Sequence, residues 1–183
     1  MTARFKDLTV ENWLEPDETI QAFGRLSLVT GQVHGITRDQ FASTFLSVQL
    51  GPSVPDDIVS MFKVAQGTLC YGYFFYPLYA LGQEQLWRVC EAALGEKFQE
   101  LGGPRSCKSF AQRIEWMHQN GHLTDEQEVW WTATRQLRNS ASHPSFQSLS
   151  MPTELPGDLR RSAHAINCLF DASLDFLSIW QTR

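Results

Sequence analysis

The sequence lacks any pair of cysteines at metal-binding or redox spacing. Cys70, Cys90, Cys107 and Cys168 are scattered along the chain, so neither a CxxC site nor a disulfide framework is signalled. They read as buried thiols of a reducing compartment. Positive charge is also in short supply. Fifteen Lys and Arg stand against 20 Asp and Glu, a formal net charge of −5. Such a chain has no overall attraction to a polyanion, and any nucleic-acid contact must come from a local basic patch. Long apolar runs are missing too. The most membrane-like stretch, residues 69–82 (LCYGYFFYPLYALG), is too short to span a bilayer and contains Pro77. It reads as a buried helix. The opening residues MTARFKDLTVENW carry charges at positions 4, 6, 7 and 11 and no apolar stretch of the secretory kind. A cytoplasmic location without membrane association is therefore expected. Internal repeats, low-complexity tracts and a strong strand pair are not found, although RLSLVTGQVHGI is either a short strand or a loop.

What remains is the pattern of a helical protein. The chain has 183 residues, 43% of them hydrophobic and 19% charged, which suits one folded domain rather than disorder. Residues 1–50 read as an N-terminal extension with a short helix, in which Phe41, Phe45 and Leu46 recur at helical spacing. Residues 51–183 read as the main helical domain. Pro55 with Asp56 and Asp57 opens a helix whose face carries Ile58, Met61, Phe62 and Ala65. Gly67, Gly72 and Pro77 are expected to break or kink the stretch that follows, and Gly102-Gly103-Pro104 to end it. Phe110, Ile114 and Met117 mark another helix, stopped by Asn120-Gly121. Thr124 and Gln127 form a capping-box signature. Beyond it Val129, Ala133, Leu137 and Ala141 make one apolar line expected to be buried. The last helix is expected from about residue 157, with a continuous stripe from Leu159 through Phe170 to Leu174, Leu177 and Trp180. The fold class is all-α, a bundle of four to five main helices.

One short window carries chemistry. RQLRNSASHP, residues 135–144, ends a helix at a proline. The residue before a proline avoids the α region, so His143 is expected to leave the helix and turn towards Arg138. Histidine moves protons near neutral pH, and arginine grips two phosphate oxygens and stabilises charge developing in a transition state. With RNA the 2′-hydroxyl is an internal nucleophile and no metal is required. An Arg and a His at a helix C-terminus also simply suit the negative end of its dipole, and the residues alone leave that plainer alternative open.

RNSASH resembles the R-x4-6-H signature of the HEPN superfamily (higher eukaryotes and prokaryotes nucleotide-binding domains), in which a polar residue, commonly Asn, often follows the Arg. A long apolar helix pair precedes the motif and a further helix closes the bundle, over roughly residues 55–181. The resemblance implies a metal-independent endoribonuclease without cofactor, acting as a homodimer with two motifs facing one cleft. His143 would then be the general acid or base, Arg138 the phosphate ligand, and Asn139 an orienting residue. The products would be 2′,3′-cyclic phosphate and 5′-hydroxyl ends. The family's nucleotide-modifying members carry a Tyr where Phe146 stands here, so that role is not carried over. No nucleotidyltransferase signature accompanies the motif, and an antitoxin partner is not read from the residues.

Arg135, Arg160 and Arg161 are further candidates for RNA binding, with Arg105, Lys108 and Arg113 as additional members of a basic patch. Glu84, or Gln85 beside it, is the candidate polar residue recruited from an earlier helix; a solvated helix face is its plainer reading. His118 and His122 lie four apart but lack a third ligand, and no metal site is expected. His164 reads as an ordinary helix residue. Trp130 and Trp131 point about 100° apart on a helix, so at least one is expected to pack inside. The rival function is a non-catalytic HEPN-like interaction or nucleotide-binding module. A DNA-binding regulator would need a basic recognition helix, and none stands out.

Overall fold

The protein is described by a computed structural model over residues 5–21, 23–26, 31–141 and 152–181. Within these residues it is all-α, with eight helices and one small antiparallel strand pair. His143 and Pro144, on which the motif turns, lie outside the described residues.

The N-terminal segment begins with a short helix α1 (Glu18–Gln21). The pair β1 (Gly24–Leu26) and β2 (Val33–Gly35) is the strand alternative for RLSLVTGQVHGI, with Gly24 opposite Gly35. Helix α2 (Arg38–Leu46) starts at a capping box in which Thr37 and Gln40 satisfy each other's backbone N–H groups. Buried Asp17 ties this segment down. It accepts hydrogen bonds from the N–H of Thr19 and of Tyr76, 59 residues away in sequence, both at 2.9 Å. Ile20, Phe41, Phe45 and Val48 enter the same apolar core as the later helices.

The centre is an antiparallel helix pair. Helix α3 (Asp56–Tyr71) follows Pro55, with two aspartates at the positive end of its dipole. It runs through Gly67 without a break. Gly72 and Pro77 bound the turn to α4 (Leu78–Glu100), where the ring of Tyr79 packs directly on Gly72. Gln66 is buried and its amide nitrogen donates to the carbonyls of Phe45 and Val48, both at 2.8 Å. This joins the end of α2 to α3 without leaving a buried polar group unpaired.

Helix α5 (Phe110–Gln119) starts at a second capping box, Ser109 with Gln112. It ends where Gly121 adopts a positive φ of 74° and the N–H of His122 reaches back to the carbonyl of Met117 at 2.8 Å. Helix α6 (Asp125–Ala141) has the capping box read from Thr124 and Gln127. Helix α7 (Leu155–Phe170) lies parallel to α4. Gln83 meets Asp158 near one end, Cys90 meets Ser162 midway, and Lys97 lies over the ring of Phe170 at the other.

Two expected stripes are corrected. Val129 and Leu137 of α6 face outward, 66% and 51% exposed. The buried side of α6 is Trp131 and Thr134 instead. The largest side chain of the helix takes the inner side: the Trp131 indole is fully buried in the common core. It takes the edge of Trp130 at 4.8 Å and of Phe110 at 6.4 Å. The final stripe is also interrupted. Helix α7 ends at Phe170, Asp171 has extended backbone, and a separate short helix α8 (Ser178–Gln181) follows. Leu174, Leu177 and Trp180 are each 42% exposed.

Candidate functional site

The last turn of α6 carries Arg138, a favourable place for a cation at the negative end of a helix. The helix rotates Arg138 towards α4, whose Glu91 it meets: Arg138 Nε lies 2.9 Å from Glu91 Oε2. Both side chains are about one-third exposed. The side chain is therefore held against the bundle with part of its surface exposed, while Nε itself is buried. Arg138 also donates from a terminal nitrogen to the side-chain oxygen of Asn139 at 3.4 Å, a long contact between neighbours. Asn139 is itself exposed.

Glu84, the carboxylate proposed from sequence, is half-buried on α4. Glu91 stands seven residues on, two turns along the same helix face, and is the one that meets Arg138. Sequence reading missed it because Glu84 and Glu91 are equivalent on a helical projection. Only the docking level of α6 against α4 chooses between them.

A cleft of about 130 Å3 opens between α4, α6 and α7, without Arg138 in its lining. Trp87, Trp130, Thr134 and Leu137 line its walls, and Arg161 stands in it. Arg161 donates to Asp158 at 2.6 Å, and Gln83 donates to the other oxygen of the same carboxylate at 2.9 Å. Arg135 is half-buried on α6. Arg160, adjacent to Arg161 in sequence, is exposed and lines a different cleft. The expected basic patch is thus divided. Arg105 and Lys108 are exposed on the connection before α5. Arg113 is half-buried, with its guanidinium carbon 5.9 Å from the centre of the Phe98 ring.

The remaining polar residues have structural tasks. His118 pairs with Asp125 at 2.8 Å across the α5–α6 turn. Among the described residues no cluster of three or more potential metal ligands occurs. His164 Nε2 lies 3.1 Å from the carbonyls of both Asp175 and Phe176. Two acceptors require a donor, so the ring carries its proton at Nε2 and fastens the C-terminal segment to α7. The same nitrogen lies 3.6 Å from Cys168 Sγ, but a protonated nitrogen cannot act as base for that thiol. Burial, with Asp175 and then Asp171 nearby, pushes the Cys168 thiol up to about 11. Burial alone pushes Cys70 to about 11, and at Cys90 it outweighs the hydrogen bond with Ser162, to about 12. None of these three is an activated nucleophile.

Comparison with family models, with curated proteins and with solved structures finds no match for this chain. No helix among the described residues is long and apolar enough to cross a membrane.

Proposed function

We propose that this protein is a HEPN-like, cytoplasmic, homodimeric endoribonuclease that cleaves RNA without a metal, at the end of α6. The observation that carries this reading is the setting of Arg138. It occupies the last turn of α6 beside Asn139, pairs with Glu91, and keeps part of its side chain exposed. A guanidinium has five N–H donors. Contact between Nε and Glu91 is therefore compatible with a grip on phosphate by the terminal nitrogens.

The chemistry follows from the groups. The 2′-hydroxyl oxygen of the substrate attacks the adjacent phosphorus as its proton is removed. The bond to the 5′-oxygen breaks, and that oxygen takes a proton. His143 serves as base or acid in this transfer, and a second copy of the motif across a homodimer supplies the complementary role. Arg138 stabilises the charge gathering on the non-bridging oxygens. A 2′,3′-cyclic phosphate and a 5′-hydroxyl result. The outward stripe Val129, Ala133 and Leu137 supports self-association, since an apolar line on the motif helix is otherwise left in water.

The test is cleavage of a labelled RNA by the parent chain and by His143→Ala and Arg138→Ala variants that keep the helical spectrum. The expectation is a loss of about a hundredfold or more for each, with EDTA without effect and cyclic phosphate on the products. Undiminished cleavage by His143→Ala, or abolition by EDTA, would sink the mechanism. A second reading is a non-catalytic interaction or nucleotide-binding module on the same bundle. It is favoured by the Arg138–Glu91 pair, which a purely structural helix end would also use, and by the acidic balance of the chain. Absence of any cleavage by the parent chain would select it.

A further inference from the structure

A second cleft lies away from Arg138, between the strand pair, α2 and the start of α7. Its volume is about 260 Å3. Phe23, Ile36, Phe41, Phe45, Pro152 and Pro156 form its walls, and Phe41 and Phe45 are core residues. Thr44 and Thr153 also line it, the Thr44 hydroxyl donating to the carbonyl of Gln40 at 2.8 Å. Among the described residues, Arg160 is the one charged side chain lining it, and no carboxylate does so. The contrast with its neighbour is informative. Arg161 is committed to Asp158, whereas Arg160 makes no ion pair or hydrogen bond with any described residue.

These features specify a ligand class. Ring-bearing walls with few polar groups favour an apolar body, and a lone guanidinium at the edge favours one carboxylate. Size narrows the choice further. A dry cavity of about 150 Å3 lined by apolar side chains accommodates benzene. The larger cleft here suits a single ring extended by a short chain.

We propose that this cleft is a binding site for a small aromatic monocarboxylate, with its ring against the half-buried Phe23 and Ile36 and its carboxylate on Arg160. The site uses no residue of the Arg138 region and stands independently of the nuclease reading. The probe is 3-phenylpropionate, titrated into the full chain by calorimetry at pH 7, beside its neutral amide and beside an Arg160→Gln variant. Because Arg160 is exposed, its replacement keeps the fold. The expected result is saturable one-to-one binding of the acid, about tenfold weaker for the amide and for Arg160→Gln. Absence of saturable binding by the parent chain overturns the proposal, as does equal affinity of the variant or of the amide.

Discussion

Arg138 of α6 and Glu91 of α4 form an ion pair across the two helices, with Nε 2.9 Å from Oε2. Both side chains are partly exposed, so water and salt screen the attraction. A double-mutant cycle with Glu91→Gln and Arg138→Met, followed by urea unfolding, is expected to give a coupling of about 0.5–1 kcal/mol. A coupling indistinguishable from zero would show that Glu91 does not hold the guanidinium. If the nuclease proposal holds, Glu91→Gln also slows single-turnover cleavage by about tenfold through looser placement of Arg138.

The exposed line on α6 should behave as an interface and not as core. Val129→Asp and Leu137→Lys are each expected to change unfolding free energy by no more than about 0.5 kcal/mol. Either change should convert the proposed dimer to monomer, read as molar mass by light scattering after gel filtration. A parent chain that is already monomeric at every concentration tested would remove the basis for this expectation.

Trp131 should be the opposite case. It is fully buried and its indole touches Phe110 and Trp130. Trp131→Ala is expected to cost about 3–5 kcal/mol. Trp131→Phe should cost much less, because the indole N–H has no hydrogen-bond partner among the described residues to lose. Denaturant midpoints of the two variants decide the matter, and equal losses would contradict the packing described for α6.

Gly82 permits the close approach of α3 and α4. A Cβ there would lie 2.8 Å from the side chain of Leu69 and 3.1 Å from its backbone nitrogen. Leu69 is fully buried in the close-packed core, so moving it displaces its neighbours. Although alanine is the better helix former, Gly82→Ala is expected to destabilise by about 1–3 kcal/mol through overpacking. A stabilised variant in thermal melts would show that the two helices separate easily.

The buried thiols give a pH prediction with a definite sign. Cys90 is raised to about 12 by burial, and Cys70 and Cys168 to about 11. Their ionisation is easier in the unfolded chain, where a cysteine titrates at about 8.5. Their protonated forms therefore support the fold fully below that pH. The support is lost as pH rises through the range up to the folded values. Unfolding free energy should fall steadily above about pH 9. At pH 8, alkylation of Cys90 should proceed only as fast as the protein opens, which mass spectrometry of the labelled chain would reveal.

Much of the fold was legible along the chain because its signals are local. The capping box at Thr124 and Gln127, the stop at Asn120-Gly121 and the aspartates after Pro55 act within one turn, and each marks a helix end in the structure. Gly67 misled because a glycine weakens a helix by only about 1 kcal/mol, a deficit that packing of α3 on α4 outweighs. The line Val129, Ala133, Leu137 misled for a different reason. Apolar periodicity shows that a helix has an apolar side, and leaves open whether that side meets this chain's own core or faces outward.

Residue types and their spacing were enough to determine an all-α chain, most of its helix ends, and a motif window with Arg138 and Asn139 at the end of one helix. Those properties depend on backbone hydrogen bonding and dihedral preference over a few residues. Tertiary structure alone decided that Trp131 and not Val129 is buried, that Glu91 and not Glu84 meets Arg138, and that Arg160 and Arg161 enter separate clefts. Each of these depends on the rotation and level of one helix against another, set by how large side chains share a common volume, and no local pattern encodes that.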